Sequence, residues 1–404
     1  MKKLVSVALS LLMILSCLAM FAACDSGKDP SGEQALTPVP KEEIKIGFIF
    51  LHDEKSTYDK NFMMGVEEVQ QKLGLRDDQI VMMTGIPEGA ECTEAALDLV
   101  DQGCDVIFAN SFGHEEFLAI AAKDHPEVQF CHATGTTAHT SELNNLHNAF
   151  ASIYEGRFLA GVAAGMKLNE MINAGQFTAE EAKIGYVGAF TYAEVISGYT
   201  SFYLGAKSVC PTVTMEVSFT GEWFDITEES NAAKALIASG CKLISQHADS
   251  MGAPSACEEA GVPNVSYNGS TLASCPETFL ISSRIDWTPY FKYIIDCVMN
   301  DKAIDTDWCG GINEGSVALT ALNAPAAAEG TQAALDAAIA QFKAGTLHVF
   351  DTNNFTVNNG EKVTSHKVGG VEVIENGIFK ESKIQSAPYF DLRIDGIKLL
   401  NEKF

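Results

Sequence analysis

The sequence predicts an α/β fold in which two similar lobes each contain a parallel sheet flanked by helices. Short apolar runs alternate with amphipathic stretches, as where "IKIGFIF" (44–50) precedes a helical pattern at 61–73. These runs are almost continuously apolar, which is typical of parallel strands covered by helices on both faces. The alternation begins again at "KIGYVGAF" (183–190), and about 360 residues follow the N-terminal region. Because one core seldom grows that large, two lobes are expected.

The first lobe is expected to alternate strand and helix from residue 44. Helix 61–73 is followed by Gly74 and helix 91–102 by Gly103. Glycine readily adopts the left-handed conformation that ends many helices, so both boundaries are well marked. The strands expected in this lobe are 44–50, 79–85, 104–110 and 128–135.

The second lobe is expected to repeat the pattern after a link helix at 154–168, whose small residues would allow tight packing. The run 278–286 and the helix 289–299 are expected to return the chain to the first lobe. From Thr346 onward, turn residues between alternating segments predict a hairpin. The strands expected in the second lobe are 183–190, 212–219, 241–246 and 262–267.

The domain boundaries follow from these elements. Lobe 1 is expected to comprise residues 44–150 and about 279–315, and lobe 2 residues 151–278 and about 316–404 with the C-terminal hairpin. Residues 1–23 have the parts of a secretory signal peptide, and the polar residues 24–43 are expected to form a flexible tether.

The end of the signal peptide resembles a bacterial lipoprotein box, in which a cysteine becomes acylated. Ala22 and Ala23 precede Cys24, although Phe21 departs from the usual aliphatic residue. We therefore expect lipidation at Cys24 and an anchor in the cell membrane, with the protein on its extracytoplasmic face. Ordinary secretion after Ala23, or an uncleaved anchor, remains an alternative.

Charge and cysteine usage exclude several classes of protein. Removal of Lys2 and Lys3 with the signal peptide takes the formal net charge from −26 to −28, which disfavours nucleic acid as a partner. The cysteines other than Cys17 and Cys24 form no CxxC motif, so zinc ribbons and thioredoxin-like sites are disfavoured. The histidines are scattered, and no metal site is expected.

Polar and aromatic residues crowd the ends of the predicted strands, where parallel α/β sheets bind ligands. The stretch "QHADS" (246–250) raises three alternatives: a catalytic His–Asp pair, a metal site, or groups that hold a ligand. No nucleophile has the sequence context of a hydrolase, and no glycine-rich cofactor motif follows the first strand. A binding cleft without a cofactor is the favoured interpretation.

Several long blocks resemble the BMP (basic membrane protein) lipoprotein family, in the expected order. They include "FANSFGHEEFLAIAAKDHPEVQFCHATG" (108–135), "YEGRFLAGVAAGM" (154–166), "GEWFDITEES" (221–230) and "WCGGINEGSVALTALN" (308–323). The resemblance covers Ile44 to Asn323 and, more loosely, the region near Asp351. It implies a two-lobed type I periplasmic-binding fold. It also implies a monomeric substrate-binding component of an ABC importer for purine nucleosides, with an ABC permease as partner.

The resemblance and the chemistry of a purine together nominate the ligand-binding residues. The first strand–helix loop of this family branch carries an aromatic residue, which is Tyr58 here, although the loop lacks the usual glycine-rich form. The family usually has an aspartate for the ribose hydroxyls where this chain has Asn268. Aromatic rings would stack on the base, and carboxylate and amide groups would hold its edge. The candidates are Tyr58, Phe112, Phe190, Trp223, Asp225, His247, Asp249 and Asn268.

We therefore expect a lipid-anchored receptor, not an enzyme, that captures adenosine, inosine, guanosine or adenine between its lobes. Three alternatives stay open. The ligand could be a sugar or another small polar molecule, the protein could be an exported nucleoside hydrolase, or it could be a sensing lipoprotein without a transporter.

Overall fold

A computed structural model describes residues 38–402. The predicted signal peptide (1–23), the lipidation site Cys24 and most of the predicted tether lie outside the described residues. The last tether residues, 38–43, are not the flexible segment that the sequence suggested. The Val39 N–H donates to the Val298 carbonyl at 3.2 Å, and the Gln79 amide donates to the Lys41 carbonyl at 2.7 Å. These contacts fix the chain before the first strand.

The first lobe contains a six-stranded parallel sheet. The strands are β1 Ile46–Ile49, β2 Ile80–Met83, β3 Val106–Ala109, β4 Gln129–Ala133, β5 Leu146–Ala151 and β11 Asp307–Gly310. Their order across the sheet is β11-β5-β4-β3-β1-β2. β5 and β11 were not predicted as strands, because their sequences mix polar residues with the apolar ones.

The second lobe contains a seven-stranded sheet, in the order β12-β10-β9-β8-β6-β7-β17. All neighbours pair in parallel except β10 and β12, which are antiparallel. The strands are β6 Lys183–Gly188, β7 Thr214–Phe219, β8 Leu243–His247, β9 Asn264–Tyr267, β10 Phe279–Ile285, β12 Val317–Leu319 and β17 Ile397–Leu399.

Helices cover both faces of each sheet, as predicted. The described α-helices are α1 Thr57–Leu73, α2 Ala90–Asp101, α3 Glu115–Asp124, α4 Ile153–Asn173, α5 Ala193–Val209, α6 Ile226–Ala238, α7 Gly252–Ala260, α8 Thr288–Met299 and α9 Thr331–Lys343. Gly74 ends α1 with a φ of +64°, which is the left-handed conformation expected of it. Within residues 38–402, no helix is both long and apolar enough to cross a membrane.

The return to the first lobe begins later than the predicted boundary near residue 279. β10 pairs with β9 and β12, so it belongs to the second sheet, where its buried residues complete the core. The chain crosses after Ile285, and Trp287 then stacks on Phe62 of the first lobe with ring centroids 4.3 Å apart. The boundary was misplaced because only strand pairing, which the sequence does not display, assigns β10 to the second sheet.

The link helix α4 packs against α5 at very short range. A methyl group on Gly161 would lie 2.0 Å from the Phe202 carbonyl oxygen, and one on Gly205 would lie 2.0 Å from the Phe158 carbonyl oxygen. Only glycine permits backbones to approach so closely. These helices therefore form a rigid face of the second lobe.

The C-terminal region forms two short hairpins in place of the one predicted. β13 Lys367–Val368 pairs with β14 Val371–Glu372, and β15 Ile374–Glu375 pairs with β16 Ile378–Phe379. Residues 380–390, here called the C-terminal strap, then reach the first lobe. The Asn148 amide donates to the Ser386 hydroxyl at 3.0 Å. The strap therefore spans the junction between the lobes, which the sequence did not indicate.

Candidate functional site

A cavity lies between the lobes, at the carboxyl ends of both sheets. It encloses about 380 Å³ of space free of protein atoms, part of it open to solvent. First-lobe residues form one wall and second-lobe residues the other. The cavity is lined by Leu51, His52, Tyr58, Asp59, Ser111, Phe112, Thr134, Glu194, Trp223, His247, Asp249 and Tyr267.

The start of α1 positions Tyr58 and Asp59 on the first-lobe wall. Ser56 caps this helix by accepting the Asp59 N–H at 3.1 Å. The Tyr58 hydroxyl donates to the Asn110 carbonyl at 2.8 Å, and its ring packs edge-on against Phe62. Tyr58 is therefore held in place by the protein before any ligand binds.

Asp59 is a buried carboxylate, and one of its two oxygens has no hydrogen-bond partner. Burial opposes its ionisation, but hydrogen bonds from His52, Ser56 and Asn110 outweigh burial and lower the pKa of Asp59. Oδ1 accepts the His52 N–H at 3.0 Å and the Asn110 amide at 2.7 Å. Oδ2 has no hydrogen-bond partner and lies 3.4 Å from His52 Nδ1. The first-lobe wall thus presents a charged acceptor.

His247 ends β8 on the second-lobe wall. Its Nε2 lies 3.3 Å from Glu194 Oε1, and its ring lies 4.2 Å from that of Tyr267. A methyl group on Gly198 would lie 2.3 Å from Nδ1, so this glycine makes room for the imidazole. Burial lowers the pKa of His247, although Glu194 opposes the shift. Burial therefore favours the neutral ring over the imidazolium form.

Asp249 is a buried acid on the second-lobe wall with a strongly raised pKa. Burial raises its pKa well above the ordinary value, and the nearby Asp59, Glu229 and Glu194 carboxyl groups add to the rise. Its backbone joins the lobes, because the Asp249 carbonyl accepts the Thr57 N–H at 3.0 Å and the Thr57 hydroxyl at 3.2 Å. This side chain therefore favours its protonated form.

Asn268, a predicted ligand residue, does not line the cavity itself but lies next to Asp249. It is 2% exposed, and neither its Nδ2 nor its Oδ1 has a hydrogen-bond partner. Its φ of +60° is left-handed, a conformation that asparagine tolerates better than most residues. Its amide opposes the rise in the Asp249 pKa, which places the two side chains close together. A buried amide without partners is costly unless something else satisfies it.

Three aromatic rings of the second lobe pack together at the opening of the cavity: Phe190, Tyr192 and Trp223. Phe190 stacks on Tyr192 with centroids 4.9 Å apart and meets Trp223 edge-on at 5.1 Å. Phe112 of the first lobe approaches Tyr192 to 5.7 Å across the opening. Of the two candidates here, Trp223 lines the cavity, whereas Phe190 supports Trp223 from behind.

Asp225 is also not part of the cavity lining. Its Oδ1 accepts the Thr227 N–H at 2.8 Å and the Glu228 N–H at 2.9 Å, so it caps α6. An aspartate immediately before a helix is a preferred N-cap, which explains its place in the sequence equally well. We correct the predicted ligand role of Asp225 accordingly.

The structure thus brings Tyr58, Phe112, Trp223, His247 and Asp249 around one cavity. Sequence reasoning missed several lining residues. Asp59 directly follows Tyr58, Glu194 comes four residues after Phe190, and Tyr267 directly precedes Asn268, so proximity to a candidate was the available signal.

Beneath the second-lobe wall lies Arg157, which belongs to the block 154–166 but was not nominated as a site residue. It is fully buried, and its guanidinium contacts the Tyr186 hydroxyl at 3.0 Å and the Ser245 hydroxyl at 2.8 Å. It lies 5.2 Å from the Tyr267 ring centroid. Among the described residues no carboxylate forms an ion pair with it. Its charge therefore offsets part of the negative field of the cavity.

No group of three His, Cys, Asp or Glu side chains within residues 38–402 is arranged to hold a metal ion. The cysteines of this range are unpaired thiols, and burial raises the pKa of Cys131 to about 12. Such thiols are poor nucleophiles and poor metal ligands.

Comparison with known proteins decides the family. Residues 50–343 match the family model described as "Bmp: ABC transporter substrate-binding protein PnrA-like". The chain belongs to this family. The resemblance inferred from the sequence is confirmed, and so is its position among the substrate-binding proteins of ABC transporters, which work on the extracytoplasmic side. The Bmp family is not an enzyme family.

Named relatives differ in their reported ligands. A purine-binding protein of Brucella abortus is 31% identical over 284 residues, which cover 69% of this chain and 75% of the relative. The nucleoside-binding protein BmpA of Lactococcus lactis is 25% identical, covering 59% of this chain and 63% of the relative. A putative glucose-binding protein of Haloferax volcanii is 35% identical, covering 52% of this chain and 50% of the relative.

Solved structures confirm the predicted fold of this Bmp-family protein. A solute-binding protein from Aeropyrum pernix superposes with a TM-score of 0.62 at 16% identity, covering 75% of this chain and 92% of that one. One from Conexibacter woesei gives 0.61 at 17% identity, covering 76% and 98%. At such low identity the likeness establishes the two-lobed architecture alone.

Proposed function

We propose that this Bmp-family protein captures a purine nucleoside or nucleobase between its lobes and delivers it to an ABC permease. One observation carries the proposal: a buried carboxylate oxygen without a partner lies in a cavity that also has aromatic walls. Asp59 Oδ2 lacks a hydrogen-bond partner, and Tyr58, Phe112 and Trp223 supply the rings. A flat ligand with a polar rim satisfies both features.

The groups match a purine in detail. Aromatic stacking contributes about 1–3 kcal/mol per base, and an asparagine amide pairs with the N6 and N7 edge of adenine. The charged Asp59 accepts from an N–H or a ribose hydroxyl. Asp249, shifted toward its protonated form, donates to a ring nitrogen. The cavity thus offers both donors and acceptors, as a purine requires.

The charge of the lining favours nucleosides and bases over nucleotides. Asp59, Glu194 and Asp249 contribute carboxyl groups, and no lysine or arginine is among the lining residues of the described chain. A phosphate group would enter without a cation to pair with it, which is unfavourable in a desolvated site. We therefore expect adenosine to bind and adenosine monophosphate to bind far more weakly.

A sugar ligand is the second candidate, because the Haloferax relative is described as glucose-binding. Sugars also stack on aromatic rings and use carboxylates. The purine proposal is favoured by the two relatives described as purine-binding and nucleoside-binding.

Calorimetry separates these ligands. The protein is titrated with adenosine, inosine, guanosine, adenine, ribose, glucose and adenosine monophosphate. Tight binding of at least one purine, with weak binding of ribose and glucose, is expected. Tight binding of glucose or ribose alone would reject the purine proposal. Release of free base from adenosine or inosine, in proportion to protein added, would reject a pure receptor in favour of a hydrolase.

We also propose that the mature protein is a monomer anchored by a lipid on Cys24. The cysteine follows Ala22 and Ala23 at the end of the apolar N-terminal run. Cys24→Ser is expected to release the chain from membranes and to abolish labelling by a fatty-acid analogue. The control is Cys17→Ser, which should leave labelling unchanged. Labelling that persists in Cys24→Ser would disprove the anchor.

A further inference from the structure

The first turn of α1 is bonded to the opposite lobe. The N–H groups at the start of a helix have no acceptor within that helix. In α1 the Thr57 N–H donates to the Asp249 carbonyl of the second lobe at 3.0 Å, and the Thr57 hydroxyl donates to the same oxygen at 3.2 Å. Two donors of the first lobe therefore meet one acceptor of the second lobe at the interlobe cavity.

Gly269, which follows β9 in the second lobe, faces the Thr57 side chain. A methyl group on Gly269 would lie 3.5 Å from Cβ and Cγ2 of Thr57, which is an ordinary van der Waals separation. Apart from its chain neighbours, no other residue would come within 4 Å of that methyl group. Thr57, the Asp249 carbonyl and Gly269 are here called the interlobe clasp.

The clasp is joined to residues that line the cavity on both lobes. The Asp249 side chain belongs to the lining, and the Asp249 N–H donates to the carbonyl of Trp223, another lining residue, at 2.9 Å. On the first lobe, Tyr58 lines the cavity and directly follows Thr57, which is not itself a lining residue. A ligand that contacts these side chains therefore fixes the backbone on both sides of the clasp.

The clasp forms only when the lobes are close together, because its donors and its acceptor belong to different lobes. A ligand held between two lobes enters while they are apart and leaves after they part again. Breaking the clasp is thus a step of dissociation, whereas the ligand enters before the clasp forms. A change in the clasp should alter the dissociation rate constant and leave the association rate constant nearly unchanged.

We propose that Thr57 is a positioning residue for ligand capture, which slows dissociation by holding α1 against the second lobe. This role rests on the proposed function, since it concerns a ligand held between the lobes. Changes at the two ends of the clasp should have opposite effects. Thr57→Val removes a hydrogen-bond donor, whereas Gly269→Ala adds a contact between the lobes.

Stopped-flow kinetics with the tightest ligand of the calorimetric titrations measures both rate constants. Thr57→Val is expected to raise the dissociation rate constant about 2–12-fold, as for the loss of one hydrogen bond. Thr57→Ser keeps the hydroxyl and should stay within about twofold of the parent. Gly269→Ala should lower the dissociation rate constant about two- to fourfold, as for one added methyl contact. The association rate constant should change by less than about twofold in each variant.

Thr93→Val is the matched control. The Thr93 hydroxyl donates to the Phe117 carbonyl at 2.9 Å, so this variant also deletes a bond from a threonine to a backbone carbonyl, but within the first lobe. It should lower the free energy of unfolding and leave both rate constants unchanged. The role of Thr57 is wrong if Thr57→Val dissociates like the parent, if Thr93→Val dissociates equally fast, or if Gly269→Ala dissociates faster than the parent.

Hydrogen exchange of the Thr57 amide tests the clasp in the ligand-free protein. This N–H is protected while it is bonded to Asp249, so Gly269→Ala should slow its exchange about two- to fourfold relative to the parent. Slowed exchange without binding of any purine would reject the purine proposal alone. Purine binding, with exchange and dissociation that do not respond to Gly269→Ala, would reject the clasp alone.

Discussion

The two walls of the interlobe cavity each present an aspartate, in very different surroundings. Asp59 receives hydrogen bonds from His52, Ser56 and Asn110, which lower its pKa despite burial. Burial and the neighbouring carboxyl groups raise the pKa of Asp249. The same residue type therefore acts as a charged acceptor on one lobe and tends toward a neutral acid on the other.

This difference explains how two acidic walls can approach each other. Two ionised carboxylates in a desolvated gap would repel, and the Asp59 charge is itself a cause of the raised Asp249 pKa. The raised pKa of Asp249 reduces this repulsion at the point where its backbone carbonyl accepts the Thr57 N–H at 3.0 Å across the gap.

Asp249→Ala should have the largest effect on ligand binding. Truncation leaves a ligand atom unpaired in a buried site, which costs roughly 1.5–3 kcal/mol. That corresponds to about 10–150-fold in Kd for the bound purine. Calorimetry measures it directly.

Asp225→Ala is the matched control for that variant, because this aspartate caps α6 and does not line the cavity. It should lower the free energy of unfolding by about 1 kcal/mol and leave Kd nearly unchanged. If Asp225→Ala loses binding and Asp249→Ala retains it, our assignment of the second-lobe wall is wrong.

Glu229→Gln should change how the free energy of unfolding depends on pH, because it removes an acid on the Asp249 side of the cavity. Glu229 is fully buried beneath Asp249 and accepts the Ser250 N–H at 3.1 Å, and burial raises its pKa to about 7. Because the folded pKa lies above the unfolded value, its contribution is fully present at low pH and is lost as pH rises toward 7.

The ligand-free parent should therefore lose about 2 kcal/mol of unfolding free energy from this group between pH 5.5 and 8.5. Glu229→Gln should lack that loss. Denaturant titrations of both proteins at the two pH values measure the difference. A parallel decline in the two proteins would show that Glu229 does not titrate in this range.

The fold was largely predictable from the sequence because it depends on repeated local patterns. Apolar runs and helix-ending glycines such as Gly74 identify most strands and helices of both lobes. β5 escaped prediction because its sequence mixes polar and apolar residues, and β17 because its sheet neighbour, β7, lies far away in the chain. The misplaced boundary near 279 has the same origin, since only sheet pairing assigns β10 to a lobe.

The candidate site was predictable in place but not in detail. Strand ends located Trp223, His247 and Asp249 near one another, yet the same rule also nominated Asp225, which caps a helix. The sequence nominated Tyr58 as a ring that stacks on the ligand, but it did not indicate that the Tyr58 hydroxyl donates to the Asn110 carbonyl. Side-chain partners of this kind, like those of Arg157 beneath the wall, arise from tertiary contacts.

The smallest expected effect concerns the aromatic pair that meets across the cavity mouth. Phe112 and Tyr192 are 50% and 41% exposed, and their centroids lie 5.7 Å apart on opposite lobes. Such pairs contribute about 0.5–1.5 kcal/mol. We expect the two rings to be coupled in ligand binding. In a double-mutant cycle of Phe112→Ala and Tyr192→Ala, the coupling energy corresponds to about 2–12-fold in Kd for the bound purine.

The control is the pair Phe190 and Tyr192, which stack within one lobe. These two residues should be coupled in the free energy of unfolding and not in Kd. If the cross-lobe pair couples in unfolding and not in binding, the two lobes already meet without ligand, and the contact does not contribute to closure.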